Sequence, residues 1–325
     1  MEQLPSTSSG PGGAEYDLLV VGRPSVDVTF TGLEAWPELG RDVDASGFGW
    51  GAGTSFNTPA SANRLGLRVA YVSAVGTDVW GRFLVEEYER EGLPTEFLRV
   101  VDGPLPWVSA GMNLGPDRGF VTYAAPAEGI EEDMYRLATE LVSSGRVRHL
   151  HGYISQEEAE LARLAREGGM TVSLDAWGGP WFEADADPSD VLSLSDVVLA
   201  NESEAMAVVG AGDLDAAMRA LAELFPLVVV KRGGDGASAL VDGRRIDVPT
   251  ERTVPVDTTG AGDCFNAGFL YGWLHGLPPE VCLGLGNLCG GAVVRAFGGY
   301  RNCPTEPELL SMARTRGILD EREDR

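Results

Sequence analysis

The second half of the chain alternates short apolar runs with amphipathic stretches. From about residue 147, strand-like runs such as "VRHLHGY", "MTVSLDA" and "LVVVK" are separated by helix-like stretches such as "SQEEAELARLAREGG" and "DLDAAMRALAELF". Buried strands that alternate with amphipathic helices are typical of a parallel, doubly wound sheet with helices on both faces. The pattern therefore predicts an α/β fold with a mostly parallel sheet flanked by helices.

The first half of the chain departs from this rhythm in two places. "YDLLVVG" and "RVAYVSAVG" are typical of buried strands, whereas "NTPASANRLG" and "DVWGRFLVEEYEREG" are typical of helices, the second with Asp78 as its N-cap. Residues 27–50 and 95–125 instead contain short candidate strands separated by Gly, Pro and Asp. We therefore predict a small separate β-sheet, a lid, built from these two segments.

The same pattern predicts one large domain with short tails. Residues 1–14 are rich in Ser, Pro and Gly and predict a disordered N-terminal tail. The α/β domain with its discontinuous lid is expected over residues 15–312, followed by a charged tail over residues 313–325. No apolar run approaches the length of a membrane span, and no basic segment followed by an apolar one opens the chain. We therefore expect a cytoplasmic protein.

Composition restricts the partners that this chain can have. Hydrophobic residues make up 44% and charged residues 23%, the balance of an ordinary globular protein, but the net charge is -24 at pH 7. Such a surface repels nucleic-acid phosphates and anionic lipids, so we expect neither nucleic acid nor a membrane as a partner. His149 and His151 alternate along one candidate strand without a third metal ligand at a recognisable spacing, and four cysteines occur without a CxxC pair. Core positions are the favoured interpretation for both sets.

The segment "VDTTGAGDCFNAGFLYGW", from Val256 to Trp273, carries the clearest chemical signal. A glycine-rich loop that enters a helix points several backbone N–H groups at one spot, which suits a phosphate or an oxyanion. Gly260 and Gly262 let such a ligand approach without a Cβ in the way. Asp263 at this helix start is either a cap or a general base for a hydroxyl that meets a phosphoryl group. The residues alone leave both interpretations open.

Two other nucleotide-binding motifs are excluded. A P-loop needs GxxxxGK followed by Ser or Thr, but the only lysine, Lys231, is followed by Arg232 and has no glycine at the required place upstream. The nearest approach to the Rossmann motif GxGxxG is "GFGWGAGT", in which Ala52 and Thr54 stand where the last glycine would fall. The missing motif argues against a nicotinamide-dependent dehydrogenase.

"DTTGAGDCFNAGF" resembles the C-terminal signature of the ribokinase family, also called the PfkB carbohydrate kinases. The resemblance covers most of the chain in the family's order, through "LLVVGRPSVDVTF", "AGTSFNTPASANRLG", "SAVGTDVWGRFLVEEYEREGL", "ANESEA", "VVVKRGGDGA" and "GNLCGGAVVRAFGG". Each segment is a weak pattern by itself, but together and in order they are specific. The resemblance implies ATP-dependent phosphorylation of a hydroxyl on a small sugar.

The resemblance also implies roles for individual residues. Asp263 is the expected general base, and the N–H groups of Gly260, Ala261 and Gly262 form the anion hole. The other implied site residues are Asp27, Gly53 and Asn57 for the substrate, Asn201, Lys231, Gly233, Gly236 and Asn287 for the nucleotide, Glu204 for Mg²⁺ through water, and Asp257 and Thr259, with carbonyls near Ala296 to Gly299, for a monovalent cation such as K⁺. By family analogy the chain would dimerise through the lid.

Several of these residues also have a purely structural interpretation. Asp27 caps a turn and Asn57 caps a helix in that interpretation, Asn201 and Glu204 form a capping box, and Lys231 is a solvated strand-end lysine. The chain also departs from the family at two positions. Ala52 stands where the family has the first glycine of "GGxxxN", and Trp177 stands where an asparagine is common. The second departure leaves the role of Asp175 open.

Two alternative functions remain at this stage. The first is a nucleoside kinase of the same family, since Trp107, Met112, Phe120 and Tyr123 in the lid segments are candidates for stacking on a base. The second is a catalytically silent sugar-binding or regulatory protein on the same fold. The match at Asp27, Gly53 and Asn57 favours a sugar, and the intact "GAGD" and NxxE motifs favour an enzyme.

Overall fold

The computed structural model describes residues 13–114, 117–153, 156–176 and 194–319. In these ranges the strands are β1 Tyr16–Val21, β2 Pro24–Thr31, β3 Gly47–Thr54, β4 Val69–Gly76, β5 Leu98–Val101, β6 Trp107–Leu114, β7 Asp117–Ala124, β8 Val147–Tyr153, β9 Thr171–Asp175, β10 Val197–Asn201, β11 Leu227–Lys231, β12 Ala237–Val241 and β13 Arg244–Val248. The helices are α1 Asn57–Arg64, α2 Val79–Arg90, α3 Ile130–Ser143, α4 Gln156–Glu167, α5 Glu202–Val209, α6 Leu214–Ala222, α7 Ala261–Leu274, α8 Pro279–Val293 and α9 Glu306–Thr315.

The larger sheet contains nine of these strands in the order β13-β12-β11-β10-β9-β8-β1-β4-β5. The strands from β11 to β5 run parallel, and β12 and β13 add antiparallel strands at one edge. The strand order changes direction beside β1, as it does in doubly wound sheets. Because the strands from β11 to β5 are parallel, their carboxyl ends all lie on the same side of the sheet. The predicted α/β fold with a mostly parallel sheet is confirmed.

Each face of this sheet packs against its own layer of helices. Leu18 and Val20 of β1 lie in the core that contains residues of α1, α2, α7, α8 and α9. Leu19 and Val21 lie in the opposite core, which contains residues of α3, α4, α5 and α6. Because successive strand residues point to opposite faces, a parallel strand that is buried on both faces needs apolar residues in succession, as β1 has from Leu18 to Val21. The continuous apolar runs in the sequence have this cause.

The second sheet has four strands in the order β3-β2-β6-β7. β2 pairs antiparallel with β3 and parallel with β6. This separate small sheet confirms the expected lid, but its sequence boundaries differ from the expectation. The run at Leu98–Val101 was expected in the lid, whereas it pairs parallel with β4 as the edge strand of the large sheet. A strand of four residues carries too little alternation to show which sheet it joins.

The segment "RTVPVD", which precedes the glycine-rich loop, forms no strand. Pro255 cannot donate to a ladder, and the N–H groups of Val256 and Asp257 both bond to the carbonyl oxygen of Val294. Helix α9 continues to Thr315, past the expected domain end at residue 312. Of the expected tail over residues 1–14, residues 1–12 lie outside the described residues, and so does Trp177. Among the described helices, none has the length and apolar character that a bilayer crossing needs.

Candidate active site

The glycine-rich loop predicted from the sequence forms the N-terminus of α7. Gly260 is the N-cap and has a left-handed conformation, with φ 74° and ψ 1°. A side chain there would be strained, and its Cβ would lie 3.0 Å from Cγ of Asn57. The first N–H groups of a helix have no partner within the helix, which is why such a helix start suits an anion. Here the N–H of Ala261 bonds to the carbonyl oxygen of Thr258 at 3.2 Å. The anion hole at this loop stays a prediction.

Asp263 lies in the first turn of α7 and is half-buried. The side-chain Nδ2 of Asn57, at the start of α1, donates a hydrogen bond to its Oδ2 at 2.9 Å. Burial, and then the negative charge of Asp175, raise the pKa of Asp263 to about 7, although Lys231 and the Asn57 hydrogen bond lower it. A carboxyl group with a pKa near the working pH is suited to accept a proton.

Asp27 lies on β2 of the lid and faces Gly53 on the neighbouring strand. A Cβ at Gly53 would stand 2.0 Å from Asp27 Oδ2, so only glycine leaves the carboxyl group its place. Ser25 Oγ donates to Asp27 Oδ1 at 2.6 Å. Burial and the charge of Asp257 raise the pKa of Asp27 to about 6, against the lowering effect of Ser25. Asp27 is thus fixed in a pocket rather than capping a turn.

The face of the lid sheet that carries Asp27 borders this pocket. Asp27 is paired with Gly51 and with Ser109, so these residues share one face. β3 has a glycine at each position on this face, and the loop around Phe297 and Gly298 occupies the space that these glycines leave. The pocket itself is lined mainly by residues of β2, β3 and two loops: Asp27, Thr29, Trp50, Asp257, Thr259, Gly298 and Gly299.

Strand register also separates the four candidate stacking residues of the lid. Trp107 lies two residues before Ser109, and Phe120 lies two residues from Thr122, the partner of Ser109, so both are on the face that carries Asp27. Met112 and Tyr123 fall on the opposite face by the same alternation. Of these four residues, only Trp107 and Phe120 therefore share the face that carries Asp27.

Lys231 lies at the carboxyl end of β11 and is not a solvated lysine. Its Nζ donates to Asp175 Oδ2 at 2.9 Å and to Asn266 Oδ1 at 3.3 Å. Burial would lower its pKa, but the charges of Asp175 and Glu204 outweigh burial and raise the pKa above its ordinary value. The Cβ position of Gly262 is 3.5 Å from Nζ. The ammonium group therefore lies beside the glycine-rich loop at the start of α7.

The NxxE motif forms a capping box at the start of α5. Asn201 Oδ1 accepts from the N–H of Glu204 at 2.9 Å, and Glu204 Oε2 accepts from the N–H of Asn201 at 2.7 Å. The structural interpretation of this motif is thus correct as far as it goes. Asn201 is also paired in register with Lys231, so the motif lies at the same edge of the sheet as the anion hole. The capping role of Glu204 and its predicted role toward Mg²⁺ are compatible, because the cap uses Oε2 of a carboxylate that has two oxygen atoms.

Asp257 and Thr259 form a turn that borders the Asp27 pocket. Asp257 is buried, and its Oδ1 accepts from the N–H of Thr259 at 3.0 Å. The carbonyl oxygen of Thr259 lies 3.4 Å from the Cβ position of Gly299, so the two loops predicted to hold a monovalent cation are adjacent. Within the described part of the chain, no three His, Cys, Asp or Glu side chains are arranged around a common metal position.

The other predicted nucleotide residues lie together beyond the end of β11. Gly233 and Gly236 have φ angles of 54° and 93° and form the turn between β11 and β12. A Cβ at Gly236 would stand 2.1 Å from the carbonyl oxygen of Val248, and Asn287 Nδ2 donates to the same oxygen at 3.0 Å. These residues form a cluster around Val248 that extends the site along the sheet edge.

The structure adds two residues that the sequence interpretation missed. Asp175 was left without a role, and Asn266 was not considered at all. Asn266 Nδ2 donates to Asp175 Oδ2, and both residues bind Lys231. The spacing of Asn266 three residues after Asp263, one helical turn on the same face, is a signal that could have drawn attention to it.

The histidines and cysteines are core residues, as favoured from the sequence. His149 and His151 are buried and bond to Ser173 Oγ at 2.8 Å each, and burial lowers the pKa of both. All four cysteines are buried and free: Cys264, Cys282, Cys289 and Cys303.

Comparisons with known proteins agree with this geometry. The pattern of the pfkB family of carbohydrate kinases matches residues 28–306. The acarbose 7(IV)-phosphotransferase of an Actinoplanes species is 31% identical over 248 residues, which cover 73% of this chain and 78% of that protein. The ATP-dependent ribose-1-phosphate kinase of Halopiger xanaduensis is 30% identical over 273 residues, 82% of this chain and 87% of that protein.

Solved structures show the same fold. Ribokinase of Arabidopsis thaliana, complexed with ribose and ATP, superposes with a TM-score of 0.74 at 22% identity and covers 91% of this chain and 98% of its own. The nucleoside kinase of Burkholderia thailandensis, in complex with inosine, gives 0.77 at 19% identity, over 92% of this chain and 96% of its own. With the family match over most of the chain, the conclusion is that this protein belongs to the pfkB family and is an ATP-dependent carbohydrate kinase.

Proposed function

We propose that the protein transfers the terminal phosphoryl group of ATP to a hydroxyl of a small sugar, with Asp263 as the general base. The observation that carries this proposal is the position of Asp263. Its carboxyl group has a pKa of about 7, is held by Asn57, and stands at the helix N-terminus that forms the anion hole. A base at that place takes the hydroxyl proton as the new oxygen–phosphorus bond forms.

The substrate side of the site is supplied by the lid and by α1. Asp27 accepts hydrogen bonds from sugar hydroxyls, and Gly53 allows both the carboxyl group and the sugar to approach the strand. Asn57 Oδ1 is buried without a hydrogen-bond partner, so it accepts from a sugar hydroxyl in this proposal while Nδ2 orients Asp263. The substrate hydroxyl thereby lies between Asn57 and Asp263.

The phosphoryl side is supplied by the loop that enters α7. The N–H groups of Gly260, Ala261 and Gly262 stabilise the charge that develops on the transferring group, and the Lys231 ammonium stands beside them. Fixed dipoles and one local cation explain how a chain with a net charge of -24 accommodates ATP. Phosphoryl transfer depends mostly on such positioning and charge stabilisation.

The nucleotide itself extends along the edge of the sheet. Gly233 and Gly236 leave room for it beside β11, and Asn287 and Asn201 lie on either side of that path. Glu204, half-buried at the start of α5, is the residue that would hold Mg²⁺ through water. When bound, Mg²⁺ neutralises charge on the phosphates.

Asp257 and Thr259, beside Gly299, are the residues that would hold K⁺. The fit rests on the buried carboxylate of Asp257 and on the carbonyl oxygen of Thr259, which lies where the two loops adjoin. Oxygen ligands of this kind suit a hard cation.

A nucleoside is the second candidate substrate. Trp107 and Phe120 on the substrate face are placed to stack on a base, and one structural neighbour is a nucleoside kinase bound to inosine. The sugar remains the favoured substrate because Gly53 leaves the Asp27 carboxyl group its place and Asn57 Oδ1 is buried without a hydrogen-bond partner. We also propose a cytoplasmic protein with no nucleic-acid or membrane partner, and a homodimer formed through the lid.

A substrate panel tests this function. Pentoses, hexoses, their phosphates and nucleosides are screened by thermal shift and then by substrate-dependent ADP release with ATP and Mg²⁺. We expect a free sugar both to raise the melting temperature and to support ADP release. A nucleoside as the only active substrate would favour the second candidate. Binding of a sugar without ADP release across the panel would indicate a catalytically silent sugar-binding protein.

A further inference from the structure

Three side chains form a closed ring beneath the first turns of α7. Lys231, at the end of β11, donates to Asp175 at the end of β9 and to Asn266 on α7, at 2.9 and 3.3 Å. Asn266 Nδ2 donates in turn to Asp175 Oδ2. Each member of the ring therefore bonds to both others. The ring ties two strand ends to the helix that carries Asp263.

The ring is buried although it contains two charges. Asn266 is fully buried, Asp175 is 4% exposed, and the side chain of Lys231 is 12% exposed. Taking two charges out of water costs roughly as much as their attraction returns, so a buried ion pair adds little net stability. Such pairs with coupled charges are concentrated at functional sites. The location of this pair beside Asp263 and the anion hole points to a functional role.

The geometry also shows where the ammonium group is held. The Cβ position of Gly262 lies 3.5 Å from Lys231 Nζ and 3.9 Å from both Cδ and Cε, so the lysine side chain runs along the anion-hole loop. An ammonium group has three N–H donors, and Asp175 and Asn266 accept two of them. No third acceptor for Nζ is found among the described residues, so one N–H is left for a ligand at this loop.

We propose that Asp175 and Asn266 are positioning residues that hold the Lys231 ammonium beside the Gly260–Gly262 loop, where its third N–H binds the phosphoryl group in transfer. This inference rests on the proposed kinase function and deepens it. Held by two fixed acceptors, the lysine loses little further freedom when ATP binds, and the site is preorganised.

The ring also acts on the base. Asp175 raises the pKa of Asp263 and Lys231 lowers it, so the two members have opposite effects. Three other titratable groups interact with Asp263. The charge of Asp27 on β2 raises the pKa of Asp263. Tyr153 on β8 and Cys264 on α7 each have their own pKa raised, first by burial and also by the charge of Asp263. In this proposal the phosphoryl group requires Lys231, whose charge lowers the pKa of Asp263, and Asp175 offsets that lowering.

Nucleotide affinity gives the first test. A non-hydrolysable ATP analogue and ADP are titrated calorimetrically, with Mg²⁺, into the wild-type protein and the variants Lys231→Met, Asp175→Asn and Asn266→Leu. We expect each variant to bind the analogue roughly tenfold more weakly, because a charge-assisted hydrogen bond to the terminal phosphate is lost or misdirected. Binding of ADP should change less than about threefold. Equal losses for both nucleotides would overturn the proposal.

Direct titration of Asp263 gives the second test and needs no activity. The ¹³C resonance of its carboxyl group is followed against pH in the ligand-free protein. We expect Asp175→Asn to move the midpoint to lower pH and Lys231→Met to move it to higher pH. Shifts of the same sign, or no shift in either variant, would overturn the coupling. If Asp175→Asn does not fold, the double variant Asp175→Asn with Lys231→Met removes both buried charges, and its analogue affinity must match that of Lys231→Met.

Asp17→Asn is the matched control. Asp17 is another buried carboxylate in an ion pair, with Arg68 at 2.8 Å, but it lies at the beginning of β1, at the opposite edge of the sheet. We expect the Asp17→Asn variant to be less stable than the wild-type protein. The ratio of its affinities for the ATP analogue and for ADP, and the midpoint of the Asp263 titration, should stay unchanged. A change of both in Asp17→Asn would show that they follow stability alone, which would overturn the inference. An inactive wild-type protein that keeps the opposite carboxyl shifts would instead refute the proposed function.

Discussion

Gly53→Ala tests whether Asp27 is held in a position that matters for the substrate. The new Cβ would stand 2.0 Å from Oδ2, 2.3 Å from Cγ and 2.6 Å from Oδ1 of Asp27. Contacts of a Cβ below 3.0 Å are essentially never found, so the carboxyl group must retreat by about 1 Å. A misplacement of about 1 Å at a reacting site costs on the order of a hundredfold in rate. We expect kcat/KM for the sugar to fall by that factor.

The loss should appear mainly as a higher KM for the sugar, since the proposed role of Asp27 is to bind the sugar and not the phosphates. The assay is steady-state ADP release with varied sugar and then with varied ATP, with a thermal melt of each variant. Gly51→Ala is the matched control, because Gly51 lies on the same strand and face but its Cβ would meet Gly298 Cα at an ordinary 3.5 Å. An unchanged sugar KM in Gly53→Ala, or an equal loss in Gly51→Ala, would refute the reasoning.

The pKa of Asp263 predicts that kcat/KM falls about tenfold per pH unit below about pH 7, because only the carboxylate accepts a proton; a profile that stays flat to about pH 5 contradicts this. Burial would raise the pKa of Asp17, but hydrogen bonds from Arg68 lower it to about 2, against a pKa of 3.8 in the unfolded chain. Asp17 therefore stabilises the fold above about pH 3.8 and loses this effect as the pH falls through about 2. Asp17→Asn should therefore be roughly 2 kcal/mol less stable in urea at pH 7, with the difference closing in acid, and a constant difference would refute the linkage. Phe120→Ala, on the lid face that carries Asp27, should raise the substrate KM several-fold, whereas Tyr123→Ala on the opposite face should not. Equal effects of the two substitutions would contradict the assignment of the Asp27 face to the substrate.

Local patterns in the sequence predicted most of the fold and the centre of the site. The loop at Gly260 and the helix after it follow from neighbouring residues, and so does the capping box of Asn201 and Glu204. Alternation of buried strands and amphipathic helices sufficed for the large sheet, because both patterns repeat over many residues.

Contacts between distant residues were beyond the reach of these patterns. Asn57 and Asp263 bond across 206 positions, and Asp175 and Asn266 across 91. Nothing near Asp175 in the chain reveals its partners, and the departure from the family at Trp177 left its role open. The four-residue strand at Leu98–Val101 was assigned to the wrong sheet for a related reason, because its partner β4 is set by the tertiary fold.

The most direct test of the central claim is the turnover of Asp263→Asn. The variant keeps the side-chain shape and can still bond to Asn57, so it should fold and bind ATP as the wild-type protein does, measured by thermal melt and calorimetry. Substrate-dependent ADP release should fall by a factor of roughly a hundred to ten thousand, the usual contribution of a positioned general base. Turnover near the wild-type rate, with ATP binding intact, would contradict the account.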